Sequence, residues 1–104
     1  MEKYNVELTE VAENDLMEIV RHITFQLSTP GSALDLVGKF EEALKSLSIS
    51  PERCPLVADQ RLSQLGYRKL IVKNFIVFFS INEKERIVDV ERILYAKRDW
   101  LSFL

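Results

Sequence analysis

Apolar and polar residues alternate from Tyr4 through Asn5, Val6 and Glu7 to Leu8, the period-two pattern of a strand with Tyr4, Val6 and Leu8 turned inward. The spacing then changes. Ala12, Leu16, Ile19, Val20, Ile23 and Leu27 recur three and four residues apart, while Glu13, Asp15, Glu18, Arg21 and His22 fill the opposite side. That predicts an amphipathic helix, with Thr9 as its N-cap and Glu10 and Glu13 suited to its positive end. Ser28-Thr29-Pro30-Gly31 breaks the pattern. Ser32 followed by Asp35 resembles a capping box for a second helix, whose stripe is Ala33, Leu36, Val37, Phe40, Leu44 and Leu47 and which ends before Pro51.

Residues 51–65 carry no period and are punctuated by Pro51 and Pro55. Three strands follow, Tyr67 to Val72, Phe75 to Ile81 and Arg86 to Leu94. Lys73-Asn74 suits a tight hairpin because Asn tolerates positive φ, and Asn82-Glu83-Lys84-Glu85 makes the second turn. Phe75 to Phe79 is apolar at every position, the signature of a central strand covered on both faces. The expected order is β-α-α-β-β-β: an α+β fold over residues 1–104, one domain with a helical hairpin on one face of an antiparallel sheet.

Totals narrow the function classes. At 104 residues the chain can build a core without staples, and 47% hydrophobic with 29% charged residues is ordinary for a soluble domain. The longest apolar run, Phe75 to Phe79, is far short of a membrane span of roughly 20 residues. Met1-Glu2-Lys3-Tyr4 leads straight into patterned sequence, so no signal peptide is expected. Cys54 stands alone, which excludes an internal disulfide and predicts a reducing, cytoplasmic setting. Only His22 is available to join Cys54, so neither a metal site nor any other cofactor is expected.

The net charge of −2 conceals a polarity. Residues 1–52 hold four cations against ten acids, −6, and residues 53–104 hold ten against six, +4. Between Gln60 and Asn82 lie Arg61, Arg68, Lys69 and Lys73 and no acid, a basic surface that attracts polyanions or an acidic protein. Tyr67, Arg92, Tyr95, Lys97, Arg98 and Trp100 extend this basic and aromatic set. Alternation places Arg68, Leu70 and Val72 on one side of their strand and Tyr67, Lys69 and Ile71 on the other. One side of the sheet meets the helices, and the other is expected to show cations with aromatics, which suits phosphates and stacked bases. Metal-free RNA cleavage needs a proton acceptor, a proton donor and cations for the phosphorane charge, roles open to Tyr95, Glu91, Arg68 and Arg98. The plainer alternative is that Tyr95 and Trp100 close the core and the cations stay solvated. His22 reads as a solvated side chain, and Cys54 as a packed thiol with no base beside it.

Gly66-Tyr67-Arg68-Lys69-Leu70, the run Asn74 to Phe79, Ser50 to Pro55 and above all Arg92-Ile93-Leu94-Tyr95-Ala96-Lys97-Arg98-Asp99-Trp100, in this order along β-α-α-β-β-β, resemble the RelE/ParE superfamily of toxins. The resemblance covers nearly the whole chain. It implies the toxin of a two-gene, type II toxin–antitoxin module of plasmid-stabilising, growth-inhibiting kind, held inactive by a cognate antitoxin. RelE-like members cut mRNA in the ribosomal A site with basic residues and often a C-terminal tyrosine, whereas ParE-like members poison DNA gyrase. The chain departs from the RNA-cutting pattern at Ile76, where an arginine is usual, in its Leu101-Ser102-Phe103-Leu104 tail, and in having no histidine near Leu94 or Tyr95. The ParE side is therefore expected. Arg68, Arg98 and Tyr95 would be catalytic only in an endoribonuclease. Arg61, Arg68, Lys69, Lys73, Lys97, Arg98 and Trp100 are expected to bind the target or the antitoxin, whose segment should be acidic and amphipathic where it meets Arg61, Arg68 and Lys73. The third reading is an inactive member that keeps only antitoxin binding.

Overall fold

A computed structural model describes residues 3–27 and 30–104, with the side chains of residues 26, 27, 30 and 32 outside the description. Strand β1 (Asn5–Leu8) leads into helices α1 (Glu10–Leu27) and α2 (Pro30–Ser46), then a 3-10 turn at Pro51–Arg53 and a short helix α3 (Gln60–Gln64). Strands β2 (Arg68–Val72), β3 (Phe75–Asn82) and β4 (Ile87–Tyr95) follow, and a second 3-10 turn covers Trp100–Phe103. The sheet order is β1-β4-β3-β2. β2, β3 and β4 form the expected antiparallel meander, but β1 lies parallel to β4, so the sheet is mixed. A parallel neighbour needs a long crossover, and here the two helices with the meander behind them provide it. Among the described residues, no helix is long and apolar enough to cross a membrane.

Thr9 caps α1 as expected: its Oγ1 accepts the Ala12 N–H at 3.0 Å and donates to the Glu91 carbonyl at 3.1 Å, tying the helix start to β4. The predicted break at Ser28-Thr29 lies outside the described residues. Helix α2 begins at Pro30, two residues before the predicted cap Ser32, whose side chain is likewise outside the description. Proline suits a first helical position because the N–H it lacks has no intrahelical partner there. At the other end Arg53 reaches back to α2, donating to Ser46 Oγ at 2.7 Å and to the Ser50 carbonyl at 2.8 Å.

Helix α3 falls in a stretch the sequence left irregular. Asp59 caps it, accepting the Leu62 N–H at 3.0 Å. Gly66 ends it at φ +84°, where the N–H groups of Gly66 and Tyr67 bond back to the carbonyls of Ser63 and Leu62 at 3.0 Å. In the β2–β3 hairpin the positive φ sits on Lys73 (+54°), not on Asn74 as expected. Arg86 (+55°) belongs to the next turn, so β4 starts at Ile87.

Two apolar layers sandwich the sheet. Ala12, Leu36 and Phe40 of the helices meet Val72, Val77, Phe79, Val88, Val90 and Ile93 on one face. On the other, Val57 and Leu62 cover Ile76, Phe78 and Leu94, with Trp100 and Leu104 packed alongside. That second face was expected to display cations and aromatics. It is roofed instead by α3 and the C-terminal turn, because a fully apolar β3 has to bury both sides.

Candidate functional site

The predicted site residues occupy three separate places. Arg68 stands opposite Phe79 at the start of β2, on the helix side. Its Nη1 donates to the Cys54 carbonyl at 2.6 Å and the Glu52 carbonyl at 3.3 Å, which fastens the Pro51–Arg53 turn to the sheet. The same crevice buries Cys54, and burial pushes its thiol pKa up against the opposing pull of Arg53 and Arg68. Lys69 lies on the outer strand and Lys73 in the hairpin turn that follows it, and Arg61 is exposed on α3. Arg61 is near enough to Tyr67 to lower its phenol pKa, but burial, the larger influence, and the charge of Glu91 raise it.

The third place is where β4 leaves the sheet. Beyond Leu8, β1 no longer covers β4, and α1 packs across that edge instead. Asp15 of α1 joins the two. Its Oδ2 accepts Arg92 Nε at 2.8 Å and the Ile93 N–H at 3.0 Å, and its Oδ1 accepts Arg92 Nη2 at 2.9 Å. The hydrogen bond to Asp15 raises the already high Arg92 pKa further. Arg92 Nη1 donates to the Phe103 carbonyl at 3.0 Å, and the Arg98 guanidinium lies 4.2 Å over the Phe103 ring.

Together these contacts leave a groove of about 730 Å³ between α1 and the ends of β3 and β4. Its floor is Ile19, Ile23, Phe75 and Ile93. Glu18 and His22 form one lip, and Asn74, Tyr95 and Arg98 the other. Tyr95 is held edge-on to Phe75 with ring centres 5.7 Å apart, and Phe75 in turn rests on Phe40 at 5.7 Å. A shallower hollow continues along α1 past Arg21 to Phe25, which is 77% exposed. Trp100 packs on Phe78 at 5.1 Å, on the opposite face of the sheet, and Lys97 is exposed.

Tyr95 and Arg98 therefore share one surface, and Arg68 does not. Along β3 the partners of Arg68 and Tyr95 are four residues apart, roughly 13 Å, and the two residues sit on strands separated by β3. Glu91, the other acid–base candidate, is the extra residue of a β-bulge opposite Phe78 and Phe79 and accepts the Ser80 hydroxyl at 3.2 Å. Sequence reasoning missed the Asp15–Arg92 clamp. The available signal was the position of Asp15 at the border of the apolar stripe, next to Leu16 and four residues before Ile19.

The family model for the ParE toxin of the type II toxin–antitoxin system parDE matches residues 6–100. No curated protein sequence matches significantly. Among solved structures, the chromosomal ParDE system from P. aeruginosa superposes with a TM-score of 0.74 at 20% identity, over 90% of this chain and 97% of that one. The RelBE2 complex from Mycobacterium tuberculosis gives 0.61 at 20% identity, over 89% and 98%. The archaeal RelE–RelB complex from Pyrococcus horikoshii OT3 gives 0.60 at 16%, over 91% and 97%. At such identities the likeness establishes the RelE/ParE-like fold.

Proposed function

Because the chain belongs to the ParE toxin family of type II toxin–antitoxin systems, we propose that it inhibits DNA gyrase by binding it, and that a cognate antitoxin neutralises it. One observation carries the choice of binding over cleavage. The acid–base and cationic candidates do not converge, because Arg68 is anchored to the carbonyls of Glu52 and Cys54 while Tyr95 and Arg98 sit at the far end of the sheet. Phosphodiester cleavage needs its proton-transfer groups and charge stabilisers within hydrogen-bond reach of one reacting phosphate. A groove with an apolar floor and a Tyr95–Arg98 lip has instead the make-up of a protein-contact surface.

An RNA-cutting reading draws on a different observation, that Tyr95, Arg98 and His22 line one groove. Paired assays separate the two. Purified chain is added to gyrase and relaxed plasmid, and translated messages are mapped by primer extension just after the chain is induced without antitoxin. The proposal expects lost supercoiling with intact messages, and Arg98→Glu should relieve the inhibition while Arg68→Ala, if folded, should not. New 5′ ends inside reading frames with gyrase unaffected would overturn it in favour of the nuclease. Growth and supercoiling both untouched would mark an inactive member.

A further inference from the structure

The turn that follows β4 is fastened largely through main-chain atoms. Arg98 donates its N–H to the Tyr95 carbonyl at 3.0 Å, and Trp100 donates its own to the Arg98 carbonyl at 2.8 Å. Ser102 bonds to the Asp99 carbonyl twice, through its N–H at 3.2 Å and its hydroxyl at 2.8 Å. Arg92, itself gripped by Asp15, closes the turn by donating to the Phe103 carbonyl at 3.0 Å. These bonds bring the Phe103 ring, 38% exposed, against the Arg98 guanidinium at 4.2 Å. The Arg92 guanidinium lies farther from the same ring, at 5.5 Å.

The two guanidiniums differ in what remains of their charge. Asp15 neutralises Arg92. Arg98 is exposed, and among the described residues no carboxylate pairs with it. An aromatic face attracts the flat face of a guanidinium and leaves its N–H groups, which lie in the plane, free to donate. A ring therefore orients a cation without neutralising it, as a carboxylate would. Orientation beforehand also lowers the side-chain entropy that a solvated arginine gives up when it pairs. We propose that Phe103 is a positioning residue, holding Arg98 as a fork at the groove's lip for a carboxylate of the partner protein. An apolar residue next to that carboxylate then rests on the floor of Ile19, Ile23, Phe75 and Ile93. The proposal rests on the reading of the groove as a protein-contact surface, and not on which protein fills it.

The test titrates acetyl-Leu-Glu-Leu-amide into the full chain and follows the Arg98 Nε–H resonance by NMR. Before peptide is added, the ring current of Phe103 should place that resonance upfield of a solvated arginine's. Peptide should then move it together with the Tyr95 and Ile93 amides, and the Leu-Gln-Leu counterpart should bind far more weakly. Because Arg92 holds a main-chain carbonyl, Phe103→Leu removes the ring and leaves the turn fastened. That variant should lose the upfield shift and bind on the order of tenfold more weakly, with its melting temperature nearly unchanged. Phe103→Tyr should keep both properties, and with Arg98→Gln in place Phe103→Leu should change nothing further. Phe103→Met replaces the Leu variant should that one not fold. A solvated Arg98 resonance in the parent chain, no saturable binding at millimolar peptide, equal binding of the Gln peptide, full affinity without the ring, or loss of fold in both ring-less variants would each overturn the proposal. Gyrase takes no part in the titration, so failed gyrase inhibition leaves its result intact. Failed peptide binding, equally, leaves the gyrase assay to decide its own reading.

Discussion

Replacing Asp15 with Ala should be among the most costly single changes in this chain. Its carboxylate holds three hydrogen bonds of 2.8 to 3.0 Å, and the two charged side chains are only 14% and 21% exposed. Truncation leaves the Arg92 guanidinium short of two partners and the Ile93 N–H without an acceptor. Breaking a buried pair from one side costs about 3–5 kcal/mol, and partial exposure here brings the expectation to about 3 kcal/mol. Asp15→Asn keeps an acceptor but loses the charge, and should cost about half as much. With a urea slope of about 1.5 kcal/mol/M, the Ala variant should unfold about 2 M earlier. Asp15→Leu alone, Arg92→Met alone and the two together complete a double-mutant cycle, in which a coupling of about 2 kcal/mol is expected, since an apolar pair leaves no stranded charge. A loss below about 1 kcal/mol for Asp15→Ala, or additive single effects, would refute the clamp. Function should follow stability here, since the clamp holds α1 against the part of β4 that β1 does not cover and so shapes the groove.

Two further outcomes follow from local geometry and titration. Lys73 adopts φ +54°, so Lys73→Val should cost about 1–2 kcal/mol in denaturant titration while Lys73→Gly should be neutral or slightly stabilising; equal effects would deny strain at the turn. Burial raises the Cys54 thiol above its ordinary value of 9.0, so stability is fully present below the unfolded pKa and is lost as pH rises through the folded one; a thiol reagent at pH near 8 should label only unfolded chain, and Cys54→Ala should flatten the decline above roughly pH 9.

How much of this was legible beforehand depends on the range of the interaction that decides each feature. The helical stripes, the Thr9 cap and the doubly buried β3 are written in neighbouring residues, and all three appear in the structure. Helix α3 is also local, but five residues are too few for a period, and only the Asp59 cap and Gly66 stop betray it. The parallel docking of β1 and the covering of Phe78 by Trp100 depend on partners far along the chain, which no local pattern specifies. The site divides in the same way. Residue types announced a basic, aromatic half, yet what each cation does is fixed by its partner: Arg92 by Asp15, 77 positions earlier, and Arg68 by the carbonyls of Glu52 and Cys54. Once those two guanidiniums are committed to holding the fold, the site cations that still face outward are spread apart, with Arg61 on α3, Lys69 and Lys73 on and after β2, and Lys97 and Arg98 beyond β4. Cations held this far apart cannot converge on a single phosphate, which is why the distribution of charge, rather than its amount, supports the proposed binding role.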